Sequence, residues 1–257
     1  MRIATWNVNS VRARLERVTA WLESEKPDVV CLQETKCQDH QFPTEPIEEL
    51  GYQIAKVGQK TYNGVAILSR HPIEDVSTGF GNERFDHEAR VIAAQVGDTQ
   101  ILNLYVVNGK EVGCDKYEHK LAWLEELAGF VTERFDTSDK LVVTGDFNIT
   151  FDDRDVYDPD KWRDKILCSQ PERDALAKIM ENGRLHDALR HFTDEGEIYT
   201  WWDFRTRGFQ RGNRGLRIDH FLVTQPALDA CTGVEVDTEE RGRERPSDHA
   251  PVVATFR

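Results

Sequence analysis

Several apolar runs in this sequence end in a side chain that carries oxygen. Ile3-Ala4-Thr5-Trp6 leads into Asn7, and Val29-Val30-Cys31-Leu32 leads into Gln33 and Glu34. Leu141-Val142-Val143 leads, through Thr144, into Gly145-Asp146-Phe147-Asn148. The run Ile218-Asp219-His220-Phe221-Leu222-Val223 alternates between faces, which puts Asp219 on the side of Phe221 and Val223. An ionised carboxylate on an apolar face costs several kcal/mol unless it is paired or bound to a metal. Ser247-Asp248-His249 opens the last run, Pro251-Val252-Val253-Ala254. Taken singly, each acid or amide reads as a turn-former or helix cap. His191 and His220 read as structural, and Asp152, Asp153 and Asp155 as solvated acids of a charged loop. The set Asn7, Glu34, Asp146, Asn148, Asp219, Asp248 and His249 is different, because every member lies at the end or entrance of an apolar run.

The chemistry open to such a set is limited. No cysteine accompanies it, and no serine sits in a Gly-x-Ser-x-Gly elbow. The chain has no Gly-x4-Gly-Lys-[Ser/Thr] phosphate loop and no His-Glu-x-x-His zinc pair. The ligand atoms on offer are hard oxygens and one histidine, which favour magnesium or manganese over zinc. Magnesium held by one or two carboxylates and waters neutralises a phosphate oxygen during in-line displacement. A nearby carboxylate can orient the attacking water, and a charged histidine can bind the phosphoryl oxygen.

The elements that would position these groups are mostly strands. Strand-like runs fall at 3–8, 28–33, 52–57, 64–68, 91–96, 101–107, 141–144, 198–204, 216–223 and 250–256. Apolar residues at helical spacing mark helices over 11–25 and 115–134, and Pro171 starts a third with Leu176, Ile179 and Met180 on its apolar face. Strict βαβ alternation is missing, which disfavours a doubly wound parallel sheet. Two packed sheets with helices on their outer faces fit the order better, within a single domain over 1–257, and no internal sequence repeat stands out. The N-terminal run lacks the features of a signal peptide, and no stretch approaches the roughly 18 apolar residues of a membrane span. Five cysteines without a Cys-x-x-Cys pair speak against a disulfide framework, so the expected setting is a reduced cytoplasm. The net charge of −13 argues against nucleic acid unless a local basic patch exists. One does: Arg205, Arg207, Arg211, Arg214 and Arg217 follow one another without an acid between them, interleaved with Phe209 and preceded by Trp201, Trp202 and Phe204.

The motifs Asn7-Val8-Asn9-Ser10-Val11-Arg12, Pro27-Asp28-Val29-Val30-Cys31-Leu32-Gln33-Glu34-Thr35-Lys36, Gly145-Asp146-Phe147-Asn148, Gly215-Leu216-Arg217-Ile218-Asp219 and Ser247-Asp248-His249-Ala250-Pro251 together resemble the exonuclease III family of abasic-site endonucleases, its bacterial branch above all. The resemblance runs from residue 3 to the C-terminus. It implies a four-layer α/β sandwich of deoxyribonuclease I-like architecture, two mixed sheets flanked by helices. It implies a Mg2+ site at Glu34, with Asn7 and Asp248 beside it, where Mn2+ could substitute. Asp146 would orient or deprotonate water, Asn148 would help hold it, and His249 paired with Asp219 would bind the scissile phosphate. Tyr105 would approach that phosphate, and Trp201 would pack against a flipped-out abasic sugar. Asn9, Arg12 and the five arginines would face damaged double-stranded DNA. The implied activity is cleavage 5′ to abasic sites by a monomer, with 3′→5′ exonuclease and 3′-end cleaning. Two departures touch the DNA-facing loops: Val107 replaces a family proline, and the loop 110–115 is short and acidic. The competing readings are a phosphodiesterase of the same fold for a phospholipid or inositol phosphate, and a catalytically silent DNA-binding relative. The first does not need the arginine–aromatic segment. The second should have lost one of Glu34, Asp146, Asp219 or His249.

Overall fold

The computed structural model describes residues 1–257, which build twelve strands: β1 (Arg2–Asn7), β2 (Val29–Gln33), β3 (Gln53–Val57), β4 (Val65–Ser69), β5 (Glu74–Thr78), β6 (Val91–Val96), β7 (Thr99–Tyr105), β8 (Lys140–Asp146), β9 (His186–Asp187), β10 (Asp219–Val223), β11 (Cys231–Val236) and β12 (Val252–Phe256). They form two six-stranded sheets, ordered β11-β12-β1-β2-β4-β3 and β5-β6-β7-β8-β10-β9. Each sheet has one parallel pair at its centre, β1/β2 in one and β7/β8 in the other, with antiparallel neighbours on both sides. A parallel pair needs a crossover connection. The helices Leu15–Glu25 and Asp115–Arg134 supply the two crossovers. The sheets therefore repeat one pairing pattern that leaves no visible repeat in the sequence.

Three apolar layers follow from strand alternation. Ile3, Val29, Ile101, Val142, Phe221 and Val252 pack between the sheets. Trp6, Leu32 and Ala66 pack outward with Val18, Trp21 and Leu22 of the first crossover helix. Leu102, Leu104 and Val143 pack outward on Leu124, Leu127, Leu176 and Ile179. Helix, sheet, sheet, helix gives the four-layer α/β sandwich. No helix is long and apolar enough to cross a membrane.

The inner layer changes character along its length. In β1 the inner face runs Ile3, Thr5, Asn7; in β2, Val29, Cys31, Gln33; in β7, Ile101, Asn103, Tyr105; in β8, Val142, Thr144, Asp146. Antiparallel β10 enters at the same end with Asp219, opposite Asp146. Midway, the Gln33 amide donates to Thr5 Oγ1 at 2.9 Å and Asn103 Oδ1 at 2.7 Å. Asn103 in turn donates to the carbonyls of Leu32 and Ala66, so a buried amide pair clasps the two sheets just below their polar end.

The segment 198–204 does not form the expected strand. Only Trp201 bridges, to Leu216 and His249, and the residues on either side of it form no strand. Likewise the run 216–223 joins its sheet only from Asp219. Strands β5, β9 and β11 escape a search for apolar runs for plain reasons. The first is an exposed, polar edge; the second has two residues; the third is interrupted by Thr232, Gly233 and Glu235. The third helix spans Gln170–Gly183, with Pro171 in its first turn and a Ser169–Glu172 capping box.

His220 lies on the outer face of β10, 1 % exposed, beside Phe147 and Phe151, with Nε2 2.7 Å from the Ile149 carbonyl. Burial, helped by the Arg217 charge, pushes its pKa down from 6.5 to about 4. The unfolded chain therefore takes up this proton first. The residue's contribution to stability is full above the ordinary value and is lost as pH falls towards 4. Urea unfolding at pH 7 and pH 5 is expected to show the wild type losing about 2 kcal/mol more than His220→Gln over that interval. Equal losses in the two proteins would contradict a neutral buried imidazole.

Candidate active site

The chain leaves β1, β2 and β8 through sharp left-handed turns. Asn9, Ser10, Glu34, Lys36 and Asn148 all have positive φ. These turns bring their side chains back over the polar end of the inner layer. Gly145 permits the parallel β7/β8 pairing there, since a Cβ would meet the Leu104 carbonyl oxygen at 1.9 Å. Asn7 Nδ2 donates to Glu34 Oε1 and to Asp146 Oδ2, each at 2.8 Å, and Asn7 Oδ1 accepts the Asn9 N–H at 3.0 Å. One amide thus ties a carboxylate of each sheet to the other. The second Glu34 oxygen faces the Lys36 ammonium at 2.7 Å, a position that already favours positive charge.

His249 comes from the far end of the chain. Its strand neighbour Trp201 and the bond from Trp6 Nε1 to its carbonyl fix the backbone. Nδ1 donates to Asp219 Oδ2 at 2.9 Å, and Nε2 stands 3.7 Å from Asp146 Oδ2. Thr200 Oγ1 donates to the same Asp219 oxygen at 2.6 Å and accepts the N–H groups of Ile218 and Asp219. Burial opposes charge on the imidazole, but Asp219 and then Asp146 outweigh it and push His249 up to about 10. Burial pushes Asp146 up to about 7, against the pull of the same imidazolium. At neutral pH His249 keeps its proton and is a cation set between two carboxylates.

Asp146 also accepts the Asn148 N–H at 2.9 Å. The Asn148 side chain donates to the Val106 carbonyl and accepts from Asn108 Nδ2, each at 3.0 Å. The Tyr105 ring lies 4.7 Å from the Arg90 guanidinium. Burial and then Glu34 hold the Tyr105 pKa well above its ordinary value, so its hydroxyl remains a donor.

Glu34, Asp146 and His249 each offer a ligand atom, and the three atoms lie within 4.8 Å of one another. With the histidine protonated, the two carboxylates remain, a donor set that fits a hard cation. Asn7 lies between Glu34 and Asp146 and is hydrogen-bonded to both. Asp248 lies outside the three-residue group; its Oδ1 accepts from Asn9 Nδ2 at 2.9 Å and its Oδ2 from Trp201 Nε1 at 3.1 Å. Asn9, expected at DNA, is spent on Asp248 and on Lys36 Nζ.

Arg12, Arg205, Arg207, Arg211 and Arg214 are exposed. Arg217 is not: it is 1 % exposed and its guanidinium meets Asp155 Oδ1 and Asp187 Oδ2, each at 2.7 Å. It therefore cannot face DNA. Asp155, expected in solvent, is fully buried and also pairs with Arg190. Burial opposes its charge, yet Arg217 holds its pKa down to about 2. Sequence reasoning missed Thr200 and Arg90, which act through Asp219 and Tyr105.

A model of the Endonuclease/Exonuclease/phosphatase family matches residues 4–249. The chain belongs to this family. Within it the resemblance to the exonuclease III branch holds over full length. An exodeoxyribonuclease III of Haemophilus influenzae is 34% identical over 268 residues, covering 100% of both chains. Among solved structures, a 3′ phosphatase from Neisseria bound to a product DNA hairpin is 44% identical with a TM-score of 0.96, covering 100% of this chain and 99% of that one. An AP endonuclease from Archaeoglobus fulgidus has the same TM-score at 38% identity and the same coverage. The family member described here is an enzyme of a hydrolytic nuclease family, and the two-sheet sandwich is the fold of these neighbours.

Arg217→Met removes the partner of two buried carboxylates. It is expected to lower stability by roughly 3–5 kcal/mol in urea unfolding. Near-wild-type stability would return Arg217 to the surface.

Proposed function

We propose that this chain, acting as one domain, hydrolyses the backbone of damaged double-stranded DNA on the 5′ side of an abasic site, and trims blocked 3′ ends with the same site. The carrying observation is the meeting of Glu34, Asp146 and His249, from three distant segments, within 4.8 Å. Glu34 and Asp146 would hold Mg2+, for which Mn2+ can substitute. When bound, the ion supplies neutralisation of the charge that builds on the phosphate oxygens.

The remaining work falls to the chain's own groups. His249, held charged by Asp219, donates from Nε2 to a non-bridging phosphate oxygen. Asp146 orients the attacking water and accepts its proton. Asn148 braces Asp146 through its N–H. Tyr105 donates its hydroxyl to the same phosphate. Trp201 belongs to an apolar wall with Tyr157, Trp162, Ile166 and Leu216, suited to a sugar that has lost its base. Such a nucleotide has little stacking or pairing to give up on extrusion. A 3′-terminal phosphate needs no extrusion, in keeping with the phosphatase named for the Neisseria relative. Arg205, Arg207, Arg211 and Arg214 contact flanking phosphates and offset the net charge of −13 locally. A phosphodiesterase for a phospholipid or inositol phosphate would not need the interleaved arginine–aromatic segment.

A labelled duplex with one abasic analogue tests the reading. It should be nicked 5′ to the lesion in Mg2+, and chelator should stop the reaction. Asp146→Asn and His249→Ala should each lose at least about 100-fold in kcat, the scale of positioned acid–base and electrostatic groups. No cleavage by the wild type, or cleavage that survives chelation, would sink the proposal.

A further inference from the structure

Behind the site, the buried face of the helix Asp115–Arg134 carries Tyr117, Trp123, Leu124, Leu127, Ala128 and Val131, and one charged residue, Lys120. Its side chain is completely buried, as is that of Glu172, which it pairs with. Three acceptors surround the ammonium: the Asn148 carbonyl at 2.7 Å, the Asn108 carbonyl at 3.2 Å and Glu172 Oε1. Glu172 has further partners of its own. Oε1 accepts the Leu167 N–H, and Oε2 accepts the Ser169 N–H and hydroxyl.

An ion pair buried this fully is of little net benefit to stability compared with apolar residues of the same volume. The two carbonyls that Lys120 grips suggest what else it does. They belong to Asn108 and Asn148, whose side chains bond to each other and whose loops leave the parallel strands β7 and β8. Asn148 has φ 51° and its N–H holds Asp146. A single ammonium therefore fastens both loops at the point where the site is assembled.

We infer that Lys120 is a positioning residue, which pins the Asn108 and Asn148 carbonyls and so holds the Asp146–Asn148 turn in its working geometry. The inference rests on the roles proposed above for Asp146 and Asn148. Glu172 then serves only as counter-charge and helix cap.

Three variants separate this from a purely structural ion pair. Lys120→Met removes the pins and leaves a buried acid. Glu172→Gln removes the counter-charge and the acceptor that met Lys120 and the Leu167 N–H, while the two carbonyl pins remain and the amide oxygen keeps the capping box with Ser169. The double variant removes both charges. Each is assayed for kcat and KM on the abasic duplex, for cooperative urea unfolding, and for amide hydrogen exchange in residues 106–110 and 146–150. Lys120→Met and the double variant should lose about 10- to 100-fold in kcat, the effect of misplacing a reacting group by about 1 Å. KM should stay within about threefold, since ground-state binding is untouched. Glu172→Gln should keep kcat within about threefold of wild type. Faster exchange should be confined to the two loops, and only where Lys120 is gone. Equal impairment of Glu172→Gln and Lys120→Met, recovery of kcat in the double variant, or its failure to fold would each overturn the inference. Should the wild type not cut the abasic duplex, the functional reading fails and the exchange data alone decide: unchanged loops reject the positioning role.

Discussion

Three carboxylates, those of Glu34, Asp146 and Asp219, crowd into one largely buried mouth, and the structure is arranged around holding them there. Negative charges at this spacing and depth repel one another strongly, because little water screens them. Two groups answer the repulsion. The Asn7 amide gives one hydrogen bond to Glu34 and one to Asp146. The His249 imidazolium bonds to Asp219 on one side and faces Asp146 on the other. The Lys36 ammonium beside Glu34 offsets a further charge, and one excess negative charge remains between Glu34 and Asp146. A site left in that condition favours a cation, and a phosphate oxygen brought with it.

The sandwich explains why these groups meet. Strands β1 and β2 of one sheet and β7 and β8 of the other are the only parallel pairs, and all four end on the same side. Their inner faces pass from aliphatic to polar along the strand, so two apolar sheets packed together produce one polar mouth. The clasp of Gln33 with Asn103 lies just beneath and sets the register of one sheet on the other. Function is thus placed where the backbone already has to turn, and the left-handed turns at Glu34 and Asn148 aim the side chains inward.

Much of this was legible in the sequence because it depends on local pattern. The apolar runs that end in Asn7, Glu34 and Asp146 are strands, and the alternation around Asp219 places it on the inner face as read. The crossover helices were legible from their apolar spacing. What escaped depends on contacts between distant segments. Arg217 lies in a run of arginines and nothing near it in sequence reveals Asp155 and Asp187, 62 and 30 positions away. Asp248 lies outside the group of Glu34, Asp146 and His249, and nothing near it in sequence reveals its bonds to Asn9 and Trp201. The segment 198–204 has the composition of a strand, but its partners lie at the sheet end and leave room for a single bridge at Trp201. Nothing in the sequence marks Lys120, since its three acceptors come from other parts of the chain.

The proposed chemistry requires carboxylates from two different sheets to share one cation. Titration of Mn2+ followed by electron paramagnetic resonance tests it without any substrate, using the wild type, Glu34→Gln and Asp146→Asn. Each single variant, one per sheet, should weaken Mn2+ binding by at least about tenfold, the scale set by losing part of a metal site. Wild-type affinity in either variant would mean that the two carboxylates do not share an ion, and the account of the site would be wrong.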